Sequence, residues 1–363
     1  MVKLPEDLEL DINAFENILT MNRMTNSYKL YWFAAIFEEI KKGNRVLNFR
    51  DIVLGMIAKS WHTIVRYKLN LGSQDKLANI VNQIHKQYDI ENNMTVQELR
   101  YFLDNDLKDD SVEDRIKDLY KYVPYRLLSP FYPQIVGMKD YKKNDLIEQL
   151  SQKDERAIYR IADHKITVNE SWFEYIFENQ IIIEGWLKNK LINFLQYRNP
   201  NVPAIPFKLD IAHNRELKRA KDYWNKIIDI KHIEDIYSGK SIGKNSSISI
   251  DHFIPWSFVL HDKLWNLVPT FKDINSSKSD KLSDLDHHLN KFCQLQADSF
   301  KLALNHDLSA KYLEDYLEIN KNIRLSKEIP KEYFINSLKE TIIPIYQIAK
   351  NQGFIVWESY SYG

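Results

Sequence analysis

Cysteine is almost missing from these 363 residues: Cys293 stands alone. A single thiol excludes an intramolecular disulfide and any zinc site built from several cysteines, and it fits a reducing compartment. Glycine is scarce, at 9 residues, while Leu, Ile, Lys, Glu and Asn abound, which favours helices over a glycine-rich β architecture. There is no excess of charge, since 50 basic residues meet 50 acidic ones. That balance counts against indiscriminate binding to nucleic acid and leaves room for a local basic groove. A long apolar run is also lacking; the most apolar early stretch, Tyr28 to Ile40, carries Glu38 and Glu39 near its end and cannot span a bilayer. The N-terminus, MVKLPEDLELD, has no apolar core of the kind a signal peptide needs. The expectation is a soluble, cytoplasmic protein without a membrane partner.

A hydrophobic content of 44% and an aromatic content of 13% exclude a disordered chain. The length accommodates two or three packed units, at ~100–200 residues per domain. Residues 1–200 read as a helical domain. Tyr31, Phe33, Ala34, Phe37 and Ile40 recur at helical spacing, and Gly43-Asn44 makes a stop. A second helix starts at Asn48 or Arg50-Asp51, with Ile52, Met56, Ile57, Trp61 and Val65 on one face. Ser73 to Tyr88 gives a third, and Thr95-Val96-Gln97-Glu98 has the capping-box pattern of a fourth. Three prolines between Val123 and Pro133 exclude a regular helix there. Ala157 to Ile166 reads as a small strand or turn, and Trp172 to Tyr197 as one long helix.

Arg198 to Pro206 holds three prolines and is the best domain boundary. Beyond it, residues 201–300 form a candidate catalytic domain and residues 301–363 a helical segment packing on the rest. Arg215 to Ile228 is helical and basic; it is either a solvated face or a helix that contacts phosphates. Asp284 to Leu304, Ser309 to Ile319 and Pro330 to Asn351 are helical, and Phe354 to Trp357 is a last strand or a docking tail.

The stretch Ser247 to Leu282 carries chemistry. The alternating run Ser247-Ile248-Ser249-Ile250 delivers Asp251 and His252; Asn266 follows, then Asn275 with Lys278 in a polar run able to start a helix. Phosphodiester hydrolysis needs an activated water, charge neutralisation on the phosphoryl oxygens, and help for the leaving oxygen. Asp251 offers a hard oxygen donor suited to Mg²⁺ or Mn²⁺, and Asn275 offers a carbonyl oxygen as a second ligand. One carboxylate plus one amide leaves positions for water and phosphate, as Mg²⁺ prefers. His252, projecting differently from its neighbour at a strand end, can act as general base on water.

The order Asp251-His252, Asn266, Asn275 and Lys278, with Ile254-Pro255, Ser257-Phe258 and Ser276 to Asp280 around it, resembles the HNH (ββα-metal) nucleases. The likeness is nearest to the HNH domains of CRISPR effector nucleases and covers about residues 231 to 290. It implies a small ββα-metal unit embedded in a mainly α, multi-domain α+β protein. It also implies Asp251 and Asn275 as metal ligands and His252 as the base. Asn266 would secure the loop that carries the histidine, and Lys278 would contact phosphate. The implied activity is a DNA endonuclease, with restriction or anti-phage defence as its setting by analogy of arrangement. The alternatives are a catalytically inactive HNH-fold module that binds DNA or protein, and an RNase. Residues 1–200 would then serve as a sensor, a DNA-recognition module, or a site for a protein partner or self-association.

Many HNH proteins carry two cysteine pairs that hold a structural zinc. Asp235 and Ser238 stand at the first pair here and Phe271 and Ile274 at the second, so no structural zinc is expected. Other candidates are weaker. Gly239-Lys240-Ser241 mimics the end of a P-loop, but Glu234 sits where the earlier glycine belongs. His287 and His288 read as exposed helix residues, with His288 able to face the site. Trp61, His62, Trp256 and Trp265 read as packing groups and Cys293 as buried and inert.

Overall fold

In the computed structural model, residues 3–21, 24–91, 94–107, 110–211 and 215–358 are described. Met1 and Val2 of the acidic N-terminus lie outside them. The architecture is mostly helical with small antiparallel sheets. The chain divides into two compact units: Met1–Pro200 with Ile205–Ile211, and Asn201–Ala204 with Ala212–Gly363. Among the described residues no helix is long and apolar enough to cross a membrane.

The first unit is built around the helix Tyr28–Lys41. Leu30 through Phe37 are all buried, so this helix is apolar on every side and must be wrapped by others. The helix Phe49–Trp61 lies against it, and Gly55 allows the approach: a Cβ there would fall 2.8 Å from the Cβ of Ala35. Phe15, Phe33, Trp172 and Trp186 form a contiguous aromatic cluster. Thr95 and Glu98 make the full capping box on the helix Val96–Asn105.

Two readings are corrected here. Val123–Leu127 is a short α-helix, and 3₁₀ turns follow at Ser129–Phe131 and Pro133–Ile135. In each, proline occupies the first turn, where its missing N–H has no helical partner to lose. The long helix is two, Glu170–Glu178 and Gln180–Arg198, broken at Asn179. The small strand or turn read at Ala157 to Ile166 is a hairpin of β2 (Tyr159–Ala162) and β3 (Lys165–Val168), and β3 also pairs with β1 (Val46–Asn48), whose last residue, Asn48, stands at the N-cap of the helix Phe49–Trp61 as the sequence suggested.

Beyond Asn201–Ala204, the described part of the second unit resumes at Arg215 and leads into the amphipathic helix Lys218–Ile230, which buries Tyr223, Trp224, Ile227 and Ile228. A hairpin of β4 (Ile233–Glu234) and β5 (Ser241–Ile242) follows, turning through Gly239 at φ +71°. Next come β6 (Ile248–His252) and β7 (Leu267–Phe271), paired antiparallel with Asp251 opposite Val268 and His252 opposite Leu267. Pro269 is tolerated because a two-stranded sheet leaves each strand an outer edge. The helix Lys272–Lys278 runs directly off β7. Beneath the sheet lies the helix Leu285–Asn305: Phe292 stacks on Phe253 at 4.1 Å, and Gln296 donates to the Leu267 carbonyl at 2.8 Å. After the helix Lys331–Asn351 the tail returns to form a parallel bridge, Val356 against Leu282.

Candidate active site

Two periodicities meet at this site. In β6 the residues Ser249 and Asp251 share one face, because side chains alternate along a strand. In the helix Lys272–Lys278, Asn275 and Lys278 share one face, being three apart. These faces are pressed together. The Asn275 Nδ2 donates to Ser249 Oγ at 2.7 Å, which leaves its Oδ1 as a free-standing acceptor. The Lys278 ammonium donates to Asp251 at 3.1 Å and to the His252 carbonyl at 2.7 Å. Expected at a phosphate, Lys278 is instead wholly buried, with its donors turned onto the strand.

A second donor reaches Asp251 from the β4–β5 turn. The Tyr237 hydroxyl donates to Asp251 Oδ2 at 2.5 Å and sits 3.1 Å from Ser283 Oγ. Burial first, and then the negative charge of Asp251, push this phenol well above its ordinary pKa, so it holds its proton and stays a donor. The ring of His288 meets Tyr237 edge-on at 5.1 Å and lies against Trp357. Of the histidine pair read as exposed, only His287 is; His288 is buried, and burial lowers its pKa.

The same turn shows what occupies the positions of the first cysteine pair. Asp235 Oδ2 accepts the Ser238 hydroxyl at 2.6 Å, and Gly239 donates its N–H to the Asp235 carbonyl at 2.9 Å. At the second pair Ile274 is buried. Among the described residues no cluster of three or more His, Cys, Asp or Glu side chains could hold a metal ion.

Asn266 lies apart from the carboxylate and binds the loop behind His252. Its Oδ1 accepts the Ile254 N–H and its Nδ2 donates to the Ile254 carbonyl, both at 2.9 Å. Its own carbonyl accepts the Phe253 N–H at 2.9 Å. The two residues after the histidine are thus fixed by one buried side chain and its backbone. Ser257 and Asp280 close the far side at 2.5 Å. Between Lys278 and Asp280, Ser279 adopts φ +46°, ψ −128°, a strained conformation for a residue with a Cβ, and it is the turn that releases the chain from the helix.

The imidazole of His252 is held from outside the motif, its Nε2 lying 2.8 Å from Asp262 Oδ1. Asp262, Tyr237 and Ser249 are the residues that sequence reasoning missed. Asp262 lies in an irregular segment with no periodicity to mark it. Tyr237 was visible only as part of the turn Tyr237 to Lys240, where nothing marks its hydroxyl.

The donor set suits one kind of ion. A carboxylate, an amide oxygen and a nearby hydroxyl are hard oxygens, and a cation already sits at Asp251 in the form of the Lys278 ammonium. Among the described residues these donors alone do not make a closed cage, so an ion held here would need water or phosphate oxygens as further ligands. Residues 235–283 match the family model described as HNH endonuclease. No curated protein and no solved structure matches the chain.

Proposed function

The chain carries an HNH endonuclease domain over residues 235–283, and on that premise we propose that it is a metal-dependent nuclease hydrolysing DNA phosphodiester bonds. The observation that supports the reading is the meeting of β6 with the helix Lys272–Lys278, which bonds Asn275 to Ser249 and Lys278 to Asp251 and to the His252 carbonyl. Asp251 and the Oδ1 of Asn275 would hold Mg²⁺ or Mn²⁺. Such an ion, when bound, neutralises charge on the phosphoryl oxygens and on the leaving 3′ oxygen.

His252 is the base. Its Nε2 is engaged by Asp262, so Nδ1 is the nitrogen left to take a proton from water. Asn266 keeps the backbone beyond His252 from shifting, and that precision matters because a positioned base contributes about 10²–10⁴-fold to rate. Lys278 compensates the Asp251 charge, and the neutral Tyr237 hydroxyl donates a hydrogen bond to it. DNA as substrate, and restriction or anti-phage defence as setting, rest on likeness to HNH nucleases mounted on helical domains.

One observation favours a second reading, a non-catalytic HNH-fold module. Both Asp251 oxygens are already bonded to Tyr237 and Lys278, and the residue is buried. Plasmid cleavage decides between the two. Supercoiled plasmid, linear duplex, single-stranded DNA and RNA are incubated with the protein in Mg²⁺, Mn²⁺ or EDTA. The nuclease reading expects metal-dependent nicking of plasmid to open circle, lost in both Asp251→Ala and His252→Ala. Cleavage that survives both substitutions, or no cleavage of any substrate in either metal, sinks it.

A further inference from the structure

We propose that Asp262 is the positioning residue of the site, a carboxylate that fixes the ring of His252 so that Nδ1 faces the reacting water. The inference rests on His252 being the base. Asp262 comes ten residues after His252 and outside the strands and helix of the motif. The chain reaches it by leaving the short helix Trp256–Val259 through Leu260 in the left-handed conformation, φ +53°. That reversal returns the segment to the end of β6.

Both oxygens of Asp262 are in use. Oδ1 meets His252 Nε2 at 2.8 Å, and Oδ2 accepts the backbone N–H of Glu216 at 2.6 Å. A carboxylate fixed at both oxygens has one orientation, and so does the ring bonded to it. The Arg215 guanidinium lies over Trp256, 5.1 Å from the ring centre, and adds positive charge beside the pair. Burial opposes the charge of Asp262, but the bonds from His252 and Glu216 outweigh it and hold the group below the usual carboxylate range. An ionised carboxylate only accepts, so whenever the imidazole carries a single proton that proton is on Nε2 and Nδ1 carries the lone pair. Asp262 itself stands on the wall of a cleft of about 810 Å³ that also includes Arg219, Lys263 and Asp315.

The alternative is that Asp262 only caps its loop through Glu216. Full-length Asp262→Asn and Asp262→Glu separate the two. Nitrogen-15 NMR of histidine-labelled protein, with the His252 signals identified by their loss in His252→Ala, reads the tautomer directly. Plasmid nicking under saturating Mg²⁺ gives kcat and KM. The expected result is a wild-type Nε2–H tautomer that becomes mixed in Asp262→Asn, with kcat down about 10²–10⁴-fold. KM for DNA and Tm stay near wild type, and Asp262→Glu recovers part of kcat. An unchanged tautomer in Asp262→Asn overturns the proposal, and so does a fall in kcat that tracks a fall in Tm. If the wild type cleaves nothing, the nuclease reading fails by itself, and the tautomer still reports whether Asp262 governs the ring.

Discussion

The ammonium of Lys278 lies 3.1 Å from both carboxylate oxygens of Asp251, with the two side chains 0% and 3% exposed. A buried ion pair of this kind adds little net stability, because desolvation offsets the Coulomb gain. Breaking it from one side is another matter, since an uncompensated charge is left in the interior. The third donor direction of Lys278 is used too, on the His252 carbonyl. The lysine therefore ties the strand end to the helix whatever else it does.

Lys278→Met should cost about 3–5 kcal/mol of stability in EDTA, the usual penalty for orphaning a buried charge. An ion that binds only the folded state stabilises by mass action, so added Mn²⁺ should recover part of that loss. The recovery should exceed the gain Mn²⁺ gives the wild type, because in the variant the ion no longer shares Asp251 with an ammonium. Urea unfolding with and without Mn²⁺ reads both quantities. Equal Mn²⁺ stabilisation of the two proteins counts against a shared site at Asp251.

Asn266 supports a different expectation, because its amide bonds to the loop and not to the carboxylate. Asn266→Ala strands the buried N–H and C=O of Ile254, at about 1–3 kcal/mol for each unsatisfied group. Asn266→Asp keeps the acceptor for the N–H and loses the donor, so its loss should be smaller at the N–H and should fall on the carbonyl side. In both variants Mn²⁺ affinity, measured by calorimetry, should stay within a few-fold of wild type while nicking falls. A large loss of Mn²⁺ affinity in a variant that still folds would mean that Asn266 acts on the metal side of the site.

Much of this was legible in the sequence where the signal is local. The capping box at Thr95 and Glu98 depends on residues three apart, and the structure holds it bond for bond. The alternation of Ser247 to Ile250 and the polar run after Asn275 mark β6 and the helix Lys272–Lys278, while the second strand between them, β7, was implied by the family resemblance. What escaped is long-range. Tyr237 reaches Asp251 across 14 positions and Asp262 reaches His252 across 10, with nothing in either segment to single out one hydroxyl or one carboxylate. β1 escaped because Val46–Asn48 becomes a strand only by pairing with Lys165–Thr167. The break at Asn179 escaped because the apolar pattern runs through it. The burial of Lys278 escaped for a plainer reason: its phosphate role was taken from the family resemblance, and only packing reveals that the side chain is interior.

Acid should weaken the second unit before its carboxylates titrate. His261 and His288 are both held below the ordinary imidazole range, each first by burial. His261 is driven to about 4, with the charges of His252 and Lys263 adding to burial. An unfolded imidazole takes up its proton near pH ~6.5. Between that value and the lower folded one, the unfolded chain binds more protons, so stability rises with pH across the window. The contribution is present in full above about pH 6.5 and is lost as pH falls toward about 4. Asp262 and Asp284, whose pKa values are lowered despite burial by bonds from His252 and His287, add their losses only further down, near and below the ordinary carboxylate range. His261 packs on Trp265 at 5.1 Å, so phenylalanine can replace it without emptying the space. Urea unfolding of wild type and His261→Phe should therefore differ in slope against pH, with the variant losing about 2 kcal/mol less between pH 7 and 5, the linkage value for one imidazole held neutral. Parallel slopes would mean that the folded protein accepts a proton on His261 at pH 5, and that its burial does not keep the ring neutral.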